Sequence, residues 1–154
     1  MDFNFKNFDA SFLFNGVQGN DIINMPAMRF HDIGSSRNTL QSIYDNRWTA
    51  ESYGPNPKSY TDNSRLLRFS RRFVEDGSYL KLRNVTIGYS LNKPFKSVEM
   101  IRVYLSGNNL FTITNYKGYD PEVNAFGSTP SMRGVDAGGY PQAREFTFGV
   151  NLTF

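Results

Sequence analysis

The chain contains no cysteine, which excludes disulfide frameworks, zinc–cysteine sites and thiol catalysis. Histidine occurs once, at His31. A catalytic triad would need that single imidazole beside both a serine and an aspartate, so His31 reads as a loop residue and no acid, base or nucleophile stands out. The expectation is a protein that is not an enzyme and needs no cofactor. No apolar run approaches the ~20 residues of a membrane-spanning helix. The amino terminus, Met1-Asp2-Phe3-Asn4-Phe5-Lys6, lacks the basic start and apolar stretch of a secretory signal, so the chain reads either as cytosolic or as the tail of something longer. Charge of one sign is also scarce. Seventeen basic and 14 acidic residues leave +3 over 154 residues, too weak an excess to argue for nucleic acid. Arg65, Arg68, Arg71 and Arg72 make one basic cluster. Only Phe69 and Phe73 lie near enough to stack on bases, so solvated strand-end or lumen charges explain it better.

What is present is aromatic and alternating. The 14 phenylalanines and 9 tyrosines fall largely in segments of period two. In the last ten residues, Phe146, Phe148, Val150, Leu152 and Phe154 alternate with Glu145, Thr147, Gly149, Asn151 and Thr153. Successive strand side chains point to opposite faces, so this segment has one apolar and one polar face. Phe3 and Phe5 alternate with polar residues in the same way, as do Phe8, Ala10, Phe12 and Phe14. Further on, Leu80 and Leu82 share one parity, whereas Val85, Ile87, Tyr89 and Leu91 hold the other. One extra residue near Arg83-Asn84 would return all six to one face, which predicts a β-bulge there. Ile101, Val103 and Leu105 then oppose Arg102, Tyr104, Ser106 and Asn108. The expected strands are 1–6, 8–19, 78–91, 99–113 and 143–154.

Between them the connections alternate in length. Lys6-Asn7 and the stretch from Asn92 to Lys96, where Pro94 cannot donate to a ladder, are tight turns. Residues 20–77 and 114–142 are long loops rich in Pro, Gly, Asn and Asp, with a short helix expected at 39–46 behind an Asn38 cap. Two architectures have apolar faces of this kind: a soluble sandwich whose sheets cover each other, and a barrel whose outside meets lipid. In an up-and-down meander, this alternation puts both tight turns at one end and both long loops at the other. Outer-membrane barrels have that asymmetry. A mean hydropathy of -0.49 does not oppose the barrel, because a membrane strand needs only ~9–11 residues and half of them point away from lipid.

Four blocks, residues 79–89 (YLKLRNVTIGY), 101–111 (IRVYLSGNNLF), 116–122 (YKGYDPE) and 146–154 (FTFGVNLTF), resemble the C-terminal end of SusC/RagA-like TonB-dependent outer-membrane transporters in order and spacing, and Asn46-Arg47-Trp48-Thr49 fits as well. The resemblance implies an all-β fold: an antiparallel up-and-down meander forming the last strands of a large transmembrane β-barrel, here an open fragment with two long extracellular loops. It also implies a place in the cell outer membrane and a part in importing glycan or peptide oligomers, with this portion not competent alone. The implied partners are outer-membrane lipid, the remainder of the barrel and its plug, a SusD-like lipoprotein lid, the TonB complex and the barrel-assembly machinery, with no nucleic acid. The alternative is a soluble secreted β-sandwich that binds carbohydrate.

On the barrel reading, Phe146, Phe148, Val150, Leu152, Ile101, Val103 and Leu105 face lipid. Phe154 serves as the barrel-assembly signal. Trp48, Tyr53, Tyr60, Tyr116 and Tyr119, all on the long loops, are candidate contacts for a ligand or for the lid. Asp120 and Glu122 could hold calcium through oxygen ligands, but a turn stabilised by Asp before Pro is the plainer reading.

Overall fold

A computed structural model describes residues 1–31, 38–56, 70–123 and 133–154. In chain order the elements are β1 (Asp2–Phe5), β2 (Phe8–Val17), β3 (Asp21–Asn24), α1 (Met25–Phe30), α2 (Gln41–Asp45), β4 (Val74–Asp76), β5 (Tyr79–Phe95), β6 (Val98–Thr114), β7 (Val135–Asp136) and β8 (Glu145–Thr153), with a single 3₁₀ turn at Arg71–Phe73. They sort into two compact units, one of residues 1–18, 78–115 and 141–154, the other of residues 19–77 and 116–140.

The first unit is one antiparallel sheet in the order β1-β2-β5-β6-β8. Each sheet neighbour is also the next of these strands along the chain, so the topology is an up-and-down meander. Lys6 and Asn7 join β1 to β2, with Lys6 at φ 53°, the left-handed conformation that two-residue hairpin turns demand. Lys96 and Ser97 join β5 to β6. The other two connections lead into the second unit, so short turns and long insertions occupy opposite ends of the sheet.

The expected bulge is present. Leu13 pairs with Asn84 and Phe14 with Leu82, leaving Arg83 opposite no residue of β2. On the other side, Leu82 pairs with Phe111 and Asn84 with Asn108, and Asn109 takes φ 53° to absorb the irregularity. Arg83 Nη1 donates to Asn109 Oδ1 at 3.3 Å and to Gln142 Oε1 at 2.5 Å. The β5–β6 hairpin runs farther than residue 91, to Phe95. Pro94 is accommodated where the pairing register shifts between Asn92 and Phe95, beside Lys93 at φ 50°; a bulge is a place where a missing N–H costs no ladder bond.

The second unit holds a small sheet of order β4-β3-β7, with β3 antiparallel to β4 and parallel to β7. Its core gathers Ile22, Met28, Ile43, Phe73 and Tyr116, all buried. Sequence reading treats Pro26 as a loop marker, yet it lies in the first turn of α1, where Asn24 Oδ1 accepts from Ala27 N at 2.9 Å. Proline is favoured there because the first helical N–H groups have no partner within the helix. The helix α2 begins at Gln41, with Leu40 rather than Asn38 in the capping position and no side chain capping it. Gln41 Nε2 reaches Asp45 Oδ1 at 2.8 Å one turn on, a spacing at which helical side chains meet.

Candidate functional site

The register of the five-stranded sheet assembles two opposed faces. On one, Phe8, Tyr89, Val103 and Val150 form a row across four strands, followed by Ala10, Ile87, Leu105 and Phe148. Leu91, Ile101 and Leu152 make a row on one side of these, and Phe12, Val85, Gly107 and Phe146 on the other. All seven residues expected to face lipid therefore share one surface, joined by the six apolar residues of β5 that the bulge brings into phase. In a sandwich a second sheet would cover this surface. Instead, Phe146 and Phe148 are 72% and 70% exposed, and Leu105, Val150 and Leu152 are exposed as well. Ile101 and Val103 are half-buried among their strand neighbours. Phe154 follows the last strand residue and is 79% exposed.

The opposite face is polar and tied together by hydrogen bonds. Arg102 grips Asp9 with two of them, Nε to Oδ1 at 3.0 Å and Nη2 to Oδ2 at 2.5 Å. This forked, charge-assisted geometry is the strong form of an ion pair. The two residues are 93 apart in sequence. They meet over Gly88, where a Cβ would lie 2.5 Å from Asp9 Oδ1 and 2.8 Å from Arg102 Nη2. A second glycine plays the same part for an aromatic ring, since a Cβ on Gly149 would lie 2.3 Å from Cζ of Tyr104. Next to these, Asn84 Nδ2 donates to Ser106 Oγ at 3.2 Å and to Asn108 Oδ1 at 2.8 Å, and the Thr86 and Ser106 hydroxyls lie 2.9 Å apart. Asn108 Nδ2 continues the line to Glu145 Oε2 at 3.4 Å. Sequence parity puts these residues on one face but carries no sign of which ones clasp.

The loop aromatics separate into different roles. Trp48 and Tyr53 face each other across an isolated antiparallel bridge, ring centroids 6.0 Å apart, with Tyr53 81% exposed. Tyr119 is 79% exposed. Tyr60, like Arg65, Arg68 and Phe69, lies outside the described residues. Tyr116 must be corrected as a candidate contact residue: it is 5% exposed, and its hydroxyl donates to Asp136 Oδ2 at 2.5 Å. Burial, and then the Asp136 carboxylate, push its phenol well above the ordinary tyrosine range. It is a packing residue of the second unit. Asp120 Oδ1 accepts from Glu122 N at 3.0 Å, the aspartate-closed turn expected before Pro121. Among the described residues no cluster of three or more His, Asp or Glu could hold a metal.

One half-open cavity of about 550 Å³ lies within the second unit, lined by Pro26, Phe30, His31, Leu40, Arg72, Phe73, Glu75, Lys117 and Tyr119 among others. Sequence reading placed only Tyr119 among its candidates. The other lining residues come from five separate stretches whose proximity no local pattern shows.

No family model matches the chain. It is 34% identical over 164 aligned positions to TonB-dependent receptor P3 of Formosa agariphila, a match covering 99% of this chain and 16% of that protein. It is 37% identical over 86 positions to TonB-dependent receptor SusC of Bacteroides thetaiotaomicron, covering 53% of this chain and 8% of the receptor. A solved structure of the RagAB peptide transporter superposes with a TM-score of 0.77 at 25% identity, over 97% of this chain and 16% of that one. The chain thus spans about a sixth of the length of the relatives it matches end to end.

Proposed function

This chain has the sequence and strand arrangement of a segment of a SusC/RagA-like TonB-dependent transporter, and from that premise we propose that it forms part of the wall of an outer-membrane importer for glycan or peptide oligomers. The observation that carries the reading is the division of one sheet into an exposed apolar face and a hydrogen-bonded polar face. In water, the apolar face would leave Phe146, Phe148, Leu105 and their neighbours in contact with solvent, at ~25 cal/mol per Å² of apolar surface. Hydrocarbon removes that cost. Water in a barrel interior suits the Asp9–Arg102 pair and the asparagine line equally well. The strand lengths fit too. Seventeen residues in each of β5 and β6, at ~3.4 Å per residue and a tilt near 40°, rise about 44 Å and clear the ~25 Å apolar band of such barrels.

Within this reading Phe146, Phe148, Val150, Leu152, Ile101, Val103 and Leu105 touch lipid, and Phe154 is the residue the barrel-assembly machinery engages. The second unit is the extracellular part, and Trp48, Tyr53 and Tyr119 are its candidate contacts for cargo or a SusD-like lid. Plug and TonB contact belong to the rest of such a transporter. The activity is transport rather than catalysis, in keeping with relatives named as receptors and importers. Membrane partitioning tests it: the protein should sediment with outer membranes, resist a urea wash and require detergent for release. A monodisperse, folded monomer in detergent-free buffer would refute the proposal.

A further inference from the structure

The cavity of the second unit is unusual in how its polar groups are used. Two acids line it, and both are already held by the fold. Glu75 accepts from Asn24 Nδ2 at 3.1 Å and from Lys117 N at 3.0 Å. Asp136 accepts from the Tyr116 hydroxyl at 2.5 Å and from Gly138 N at 2.7 Å. His31 is likewise engaged, its Nδ1 2.7 Å from Ala27 O and its ring edge-on to Phe73 at 5.4 Å. The cations differ. Arg72 is exposed and spends one guanidinium nitrogen on Asn56, and Lys117 is exposed at the rim. Asn24 also lines it, with its amide spent on Glu75 and Ala27 N; the rest is mostly apolar: Pro26, Ala27, Phe30, Leu40 and Phe73, with the ring of Tyr119. Of these, Phe30 and Leu40 stay 48% and 47% exposed.

We propose that this cavity is a subsite for an apolar side chain carried beside a carboxylate, as a hydrophobic residue is at the carboxyl end of a peptide. At about 550 Å³ it falls in the size range of small-ligand pockets and has room for a phenyl or branched aliphatic group. A phenyl group entering between Phe30, Leu40 and Tyr119 removes apolar surface on both partners from water. A sugar ring in the same place would press hydroxyls against Pro26, Leu40 and Phe73, none of which offers a side-chain hydrogen bond, and unpaired buried hydroxyls are costly. Beside the neutral Tyr119 hydroxyl, the donors that remain are the exposed cations Arg72 and Lys117, which suits a carboxylate there better than an amide or an ammonium. The inference rests on the import reading only for the choice of a peptide as the source of this chemistry.

The test uses the full chain held in amphipol, with saturation-transfer NMR and calorimetric titration of N-acetyl-phenylalanine, N-acetyl-phenylalanine amide and maltotriose. The acid should bind saturably in the millimolar range, and the amide about 5- to 10-fold more weakly, the loss expected for one charge-assisted contact. Lys117→Gln should bring the acid down to the level of the amide and leave the amide unchanged. Leu40→Ser should weaken both equally. If Leu40→Ser disturbs the fold by circular dichroism, Lys117→Gln, at an exposed position, decides the matter alone. Absence of saturation up to about 20 mM, equal affinity for acid and amide, or tighter binding of maltotriose would each overturn the proposal. Vesicle flotation of the same sample is scored separately. Flotation without acid binding removes the subsite alone, and acid binding without flotation removes the membrane reading alone.

Discussion

A lysine scan along β8 tests the membrane face most directly. The strand has nine residues; at ~3.4 Å each it is about 30 Å long, and at a tilt near 40° it rises about 23 Å, close to the ~25 Å height of the apolar band. Same-face neighbours are then about 5 Å apart in depth. Phe148 and Val150 flank the central Gly149 and sit within about 3 Å of the strand's middle, whereas Phe146 and Leu152 lie about 8 Å from it. Lysine at the midplane of a membrane barrel costs ~2–4 kcal/mol and near the interfaces ~0–1 kcal/mol. Phe148→Lys and Val150→Lys should therefore cost ~2–4 kcal/mol, roughly 30- to 700-fold in the folding equilibrium. Phe146→Lys and Leu152→Lys should cost about half as much. Thr147→Lys and Asn151→Lys, on the opposite face, should cost less than ~1 kcal/mol. The assay is denaturant titration of the protein reconstituted in lipid vesicles, with all six variants compared under identical conditions. A flat scan, or Val150→Lys within ~1 kcal/mol of Asn151→Lys, would refute the assignment of the apolar face to hydrocarbon.

Three further outcomes follow from particular contacts. Gly149→Ala places a methyl group 2.3 Å from Cζ of Tyr104, so it should destabilise the sheet by ~1–3 kcal/mol; in the double variant with Tyr104→Ala most of that loss should disappear, read from the same titrations. Tyr116→Phe leaves Asp136 Oδ2, in a residue only 3% exposed, without its hydroxyl donor, and should cost ~1–3 kcal/mol. The tyrosine also sets a pH dependence. Its folded-state pKa is raised, so its contribution is fully present below the unfolded-chain value near 10 and declines as pH rises above it. Unfolding monitored across that alkaline range should steepen for the native chain and flatten for Tyr116→Phe. Deleting Phe154 should reduce delivery to the outer membrane, scored by fractionation, while leaving the strand register unchanged by cross-linking at Val103 and Val150; undiminished delivery would remove its role in assembly.

Much of the sheet was legible because a two-residue period leaves a direct trace. Apart from Lys81 and Leu82, which are buried in β5, the side chains of β2, β5, β6 and β8 alternate without interruption from tight packing, and the parity break between Leu82 and Val85 marks the Arg83 bulge. Turns at Lys6-Asn7 were legible for the same reason. The β5–β6 turn lies later than the sequence suggests because Pro94 looks like a stop signal, whereas an irregular pairing can hold it. The second unit was not legible. Its strands have two to four residues, too few for any period to register, and α1 is six residues long. Asn24 followed by Pro26 is a sound helix-start signal, obscured because prolines elsewhere in the stretch mark loops. Tyr116 reads as a loop aromatic because nothing local reveals Asp136, twenty residues on. The Asp9–Arg102 pair is hidden for a similar reason, since it depends on three strands being in register.

That pair has a consequence for how the strands find their partners. Displacing β6 by a single position against its neighbours would turn every side chain over. Arg102, now held by Asp9, would swing to the apolar face with Tyr104 and Asn108, and Leu105 and Val103 would turn to the polar one. Such a slip would be opposed by the surroundings themselves, because one lysine or arginine at mid-depth already costs ~2–4 kcal/mol. On the proposed membrane placement, misaligned strands are rejected by the bilayer during insertion, with the glycines at 88 and 149 keeping open the spaces that only the correct alignment fills.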